Sequence, residues 1–96
     1  MLALGTIKNL LLAHKPELMA KYGLKNMAIF GSYARNQQNP KSDIDIVVEF
    51  TRPIGSSFID LADELEHILK IKVDLVSKKG IKPSYLKAIE NDLLYV

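Results

Sequence analysis

Residues 43–50, DIDIVVEF, alternate as only a strand with two unlike faces can. Ile44, Ile46, Val48 and Phe50 fall on one side; Asp43, Asp45, Val47 and Glu49 fall on the other. Beyond a loop at 52–56, Phe58, Leu61, Ala62, Leu65, Ile68 and Leu69 recur at helical spacing, with Asp60, Asp63, Glu64 and Glu66 largely opposite. Ser56 or Ser57 is placed to cap that helix, and residues 72–77 read as another strand. A helix of about a dozen residues between two strands favours a parallel crossover.

The flanking segments complete the outline. Residues 1–12 read as a helix rather than a signal peptide, because no basic leader or small-residue cleavage site accompanies them. Pro16 suits a first turn, so a second short helix is expected to start at Lys15, Pro16 and Glu17 and to stop at Gly23. Residues 25–30 read as a buried strand broken by Gly31 and Ser32, with Ser32 placed to cap a short helix through Tyr33, Ala34 and Arg35. Residues 36–42 are polar, contain Pro40 and form a loop. A turn at 80–83 leads to a helix with Leu86 and Ile89, and residues 93–96 form a short last strand. The expected fold class is α/β (α+β): a small mixed sheet flanked by helices, in one domain over 1–96.

This order gathers carboxylates. Asp45 lies near the start of one parallel strand and Asp74 near the start of the next; Lys72, Asp74 and Val76 share a face opposite Val73 and Leu75. If the strand before Gly31 runs antiparallel to the strand after Asp43, Gly31 and Ser32 join Asp43, Asp45 and Asp74 at one corner. The corner lies at the amino ends of the parallel strands, which a doubly wound fold does not use for ligands. Three carboxylates together need a cation, and hard oxygen donors suit Mg²⁺ with water and phosphate oxygens. Two ions roughly 3.5–4 Å apart can serve an in-line phosphoryl displacement. Gly31 lets backbone approach a phosphate, while Ser32 adds a hydroxyl and the following helix adds free N–H groups.

Composition narrows the field. With no cysteine there is neither a disulfide nor a thiolate metal site, which fits a cytoplasmic protein. No apolar run reaches membrane-spanning length. A net charge of +2 is too small to imply a nucleic-acid partner.

The motif Gly31-Ser32, then residues 33–42, then Asp43-Ile44-Asp45, with Asp74 in Val73-Asp74-Leu75-Val76, resembles the nucleotidyltransferase superfamily that includes DNA polymerase beta. The phrases GSYAR and SDIDIVVEF resemble its minimal nucleotidyltransferases, and the likeness covers nearly the whole chain. The resemblance implies the nucleotidyltransferase fold, Mg²⁺ (two ions) and ATP as substrate. It implies Asp43, Asp45 and Asp74 as metal-holding catalytic residues, Asp74 also helping to deprotonate the acceptor. It implies Gly31 and Ser32 at the triphosphate. Many such proteins are antitoxins of type VII systems paired with a HEPN-domain RNase toxin, and some adenylylate a toxin tyrosine. A HEPN toxin is therefore the expected partner, in a hetero-oligomer, with no membrane and no direct nucleic acid. Family members often carry Gly where this chain has Asn36; if that position needs positive φ, Asn is the best-tolerated alternative.

Other residues carry two readings each. Arg35, one turn after Ser32, can reach a phosphate or pair with Glu49 or Asp43. Ser42 and Lys41 can face the nucleotide or simply be solvated, and Asp74 can pair with Lys70 or Lys72 instead of metal. Tyr33 is read as packing, and His14 and His67 as surface residues without ligand spacing. At the level of function, adenylyl transfer competes with an antitoxin that acts by occlusion alone, and with transfer to a small molecule or to an RNA end.

Overall fold

A computed structural model describes residues 3–96. The elements run α1 (Leu4–Tyr22), β1 (Leu24–Phe30), α2 (Gly31–Ala34), β2 (Ile44–Phe50), α3 (Ser57–Leu69), β3 (Val73–Ser77), α4 (Pro83–Ile89) and β4 (Leu94–Tyr95). One-turn 3₁₀ helices at Lys78–Gly80 and Glu90–Asp92 flank α4. The sheet order is β3-β2-β1-β4, with β2 and β3 parallel and β1 antiparallel to both β2 and β4. The parallel crossover through α3 is the one its helix length favoured, and the mixed sheet is the architecture expected.

The sheet separates two apolar clusters. On one side Met27, Ile29, Ile44, Ile46 and Val48 pack with Ile7, Leu11 and Leu18 of α1 and Leu61, Leu65 and Leu69 of α3. On the other, Ala28, Phe30 and Val47 meet Ile89, with Leu86 and Val76 at the margin. Asp45 belongs to this second, thinner side, because it alternates with Ile44 and Ile46.

Two local expectations are corrected. Pro16 starts no second helix; it lies inside the continuous α1, and the helix expected over 1–12 is its first part, with Met1 and Leu2 outside the described residues. Ile7, Leu11, Leu18 and Tyr22 form one buried stripe across Pro16. Pro16 itself and Leu12, whose carbonyl loses its helical donor, are exposed, so water can satisfy that carbonyl. Ser32 is not a cap either: α2 begins at Gly31 with Phe30 as N-cap and no side-chain bond. Ser56 is the N-cap of α3, also without a side-chain bond. Gly23 stops α1 as expected, with φ 69° and its N–H donating to the Met19 carbonyl at 3.0 Å.

Candidate active site

The sheet register lines up the corner. Phe30, the last residue of β1, pairs with Asp45 of β2, and Asp45 pairs with Asp74 of β3. Residues directly opposite in a sheet project from the same face, so Asp45 and Asp74 stand side by side on the α4 side. Gly31 follows Phe30 immediately and turns the chain with φ 75°. A Cβ at Gly31 would run into Oδ2 of Asp45 and stand 3.0 Å from its Cγ. Only glycine lets the backbone lie this close to the carboxylate while holding a left-handed conformation. Asp43 is exposed on the residue before β2.

The electrostatics are unbalanced. Asp45 is pushed up from 3.8 to about 6, first by burial, then by the negative charge of Asp74, a hydrogen bond shared with it, and the charge of Asp43. Arg35 opposes this only weakly. Among the described residues the ion pairs are His14–Glu17, Lys21–Glu64 and Arg35–Asp92, so Asp74 is paired with neither Lys70 nor Lys72. An acid pair without a cation, on hard oxygen donors, suits a divalent ion such as Mg²⁺. As the side chains are placed, no three Asp, Glu, His or Cys residues among those described converge into a metal-holding group. The site is thus a carboxylate pair, with Asp43 contributing its charge from the adjoining loop.

The remaining candidates are positioned as follows. Ser32 is half-buried in α2, next to Gly31 in the chain, and Tyr33 is 2% exposed in the core, as packing requires. Asn36 has φ 57°, the left-handed conformation anticipated for it. Arg35 pairs with neither Glu49 nor Asp43. Its Nη1 donates to Oδ2 of Asp92 at 3.0 Å, and its Nε to Oε1 of Gln37 at 3.3 Å. Glu49 instead accepts from Nδ2 of Asn26 at 3.0 Å. Ser42 is engaged within its loop, its Oγ accepting from the Asn39 N–H at 3.0 Å and its own N–H donating to the Asn39 carbonyl. Asp92 was invisible to sequence reasoning because nothing local marks a partner 57 residues away. A cavity of about 650 Å³ lies at the other end of β2, lined by Phe50, Ile54, Phe58, Lys78 and Leu86. It is remote from the acid pair, so the chemistry, not the cavity size, locates the site.

Known proteins resemble this chain in sequence and in fold. The family model for the nucleotidyltransferase domain matches residues 12–96. A Methanocaldococcus jannaschii protein provisionally named a protein adenylyltransferase is 53% identical over 98 aligned positions, covering 100% of both chains. Protein adenylyltransferase MntA of Thermococcus cleftensis is 39% identical over 97 positions, covering 100% of this chain and 98% of its own. A solved structure provisionally described as a minimal nucleotidyltransferase superposes with a TM-score of 0.77 at 29% identity, over 97% of this chain and 95% of that one. A toxin–antitoxin crystal structure with AMP-PNP superposes with a TM-score of 0.62 at 29% identity, over 88% of this chain and 64% of that one. By sequence over its whole length and by fold, the present chain belongs to the minimal nucleotidyltransferases of the nucleotidyltransferase-domain family and is a nucleotidyltransferase.

Proposed function

We propose that this protein transfers AMP from ATP to a hydroxyl of a partner protein, a tyrosine of a HEPN-domain RNase toxin, and so acts as an antitoxin. The observation that carries the reading is the Asp45–Asp74 pair in register beside Gly31. Relatives named protein adenylyltransferases, and a toxin–antitoxin neighbour solved with AMP-PNP, support the nucleotide and the partner class. Gly31 and Ser32 receive the triphosphate, the glycine letting the backbone approach it closely. Arg35, braced by Asp92, and Ser42, at the end of the loop, border the nucleotide. Asp43, Asp45 and Asp74 would hold Mg²⁺, which would neutralise phosphate charge and the mutual repulsion of the acids. In the transfer, the acceptor oxygen bonds to the α-phosphorus and the bond to the bridging α–β oxygen breaks. Pyrophosphate leaves, and the hydroxyl proton passes to Asp74. Most of the rate enhancement is positioning and charge neutralisation.

The test is incubation with Mg²⁺ and α-labelled ATP beside the protein encoded by the adjacent gene. Label is expected on that protein, and D43N with D45N is expected to abolish it while far-UV circular dichroism stays unchanged. Undiminished transfer by the double variant refutes the metal assignment. Full neutralisation of toxin activity by the double variant instead establishes occlusion.

A further inference from the structure

β3 is an edge strand, and Asp74 sits on it. The Lys72 carbonyl accepts from the Ile44 N–H at 2.9 Å and so faces β2. By alternation the N–H and C=O groups of Val73, Leu75 and Ser77 face away from β2. Glu66 takes the Val73 N–H through Oε2 at 2.8 Å, while both groups of Leu75 remain directed at the open edge. Along the same edge runs an apolar groove of about 580 Å³ formed by Phe58, Leu75, Val76, Ile81 and Tyr85. Tyr85 is 50% exposed.

Charge marks this edge strongly. Residues 70–87 carry six lysines against the single acid Asp74, whereas the rest of the chain has seven basic and ten acidic residues. None of those six lysines joins an ion pair among the described residues. Lysines commonly guard edge strands against unwanted pairing. Here they stand before and after β3, at 70, 72, 78, 79 and 82, and none interrupts Val73–Ser77. The strand is left open in its middle, with lysines before and after it and the Glu66 carboxylate at its start already engaged by the Val73 N–H.

We infer that the free edge of β3 and the groove beside it dock an extended, acidic, apolar-anchored peptide segment, which carries the acceptor hydroxyl into the site as an added strand. This rests on the transfer reading above. The register then fixes where each side chain goes. The residue opposite Asp74 faces the same side as Asp74 and Asp45, so its hydroxyl enters the acid row from the edge, with Gly31 at the far end of that row. The residue opposite Val76 lies towards Ile81 and Tyr85, and the one between them, opposite Leu75, lies towards Phe58. Main-chain bonds supply affinity, the groove selects apolar neighbours of the acceptor, and the lysines select acidic flanks.

The probe is a synthetic eleven-residue peptide with a central tyrosine, apolar residues beside it and Glu at both ends. Controls are the same peptide with Lys ends and a single-stranded RNA oligonucleotide. Amide exchange of the labelled protein is followed by NMR during titration to millimolar peptide. The Leu75 N–H is expected to exchange at least about tenfold more slowly with the acidic peptide, the Lys-ended peptide is expected to bind at least about tenfold more weakly, and K79E with K82E and, separately, Y85S are each expected to weaken binding by about tenfold. No protection of Leu75, protection by the RNA alone, or protection that grows with protein concentration without peptide each overturns the inference. Labelled ATP in the same samples separates the two readings. Protection without labelled tyrosine sinks the transfer reading and leaves the docking edge standing, whereas labelling of another protein acceptor without Leu75 protection does the reverse.

Discussion

Asp45→Asn is expected to stabilise the metal-free protein at pH 8. In the wild type the carboxyl is held at about 6 against 3.8 in the unfolded chain. The folded state therefore keeps a proton that the unfolded state has released between those values. Folding stability is full below the unfolded value, falls as pH rises through the window, and stays reduced above about 6. A shift of this size corresponds at face value to about 3 kcal/mol. Asp45 is only half-buried, and solvent screening reduces the figure to about 1–1.5 kcal/mol. Asparagine keeps the volume, removes the charge, and can donate to Asp74 in place of the shared proton. Urea unfolding followed by circular dichroism at pH 8 is expected to show the gain, with the melting temperature higher by about 5–10 °C. The difference from wild type is expected to vanish near pH 4. Under the proposed metal role, millimolar Mg²⁺ at pH 8 raises the wild type and leaves the variant nearly unchanged. A variant no more stable than wild type at pH 8, or a gain equal at both pH values, would falsify the account of the acid pair.

Two further substitutions test the backbone around the site and the fold. Gly31→Ala meets both the φ of 75° and the Asp45 carboxylate, so a loss of about 1–2 kcal/mol and of nucleotidyl transfer is expected, read by urea unfolding and by label incorporation; wild-type stability with full activity contradicts the close approach. Lys70 closes α3 with φ 61°, and Lys70→Gly is expected to raise stability by about 1 kcal/mol in the same unfolding assay, the opposite sign to an ordinary surface glycine.

Much of this architecture could be read without coordinates. β2 shows two unlike faces because Ile44, Ile46 and Val48 pack on the side of α1 and α3, while the other, thinner face carries Asp45 with Val47. α3 shows a clean helical period because Leu61, Leu65 and Leu69 are fully buried. The candidate site was legible as a spacing of residue types, Gly31 and Ser32, then Asp43 and Asp45, then Asp74, of which the structure pairs Asp45 with Asp74 beside Gly31. What failed locally failed for one reason. Pro16 breaks isolated helices, but the stripe from Ile7 to Tyr22 is buried on both sides of it and holds α1 together. Arg35 pairs with neither of its two expected carboxylates, Glu49 and Asp43, because the turn after α4 brings Asp92 to it.

By itself the sequence determined the kinds of elements, their faces, and the residue types available for phosphate chemistry, since periodicity records which side of each segment leaves water. Only the tertiary structure decided that Phe30, Asp45 and Asp74 share one row, that β3 lies at an open edge, and that Arg35 is tied to Asp92. Register, edge position and long-range ion pairs depend on how segments distant in the chain meet, and no local pattern encodes that meeting.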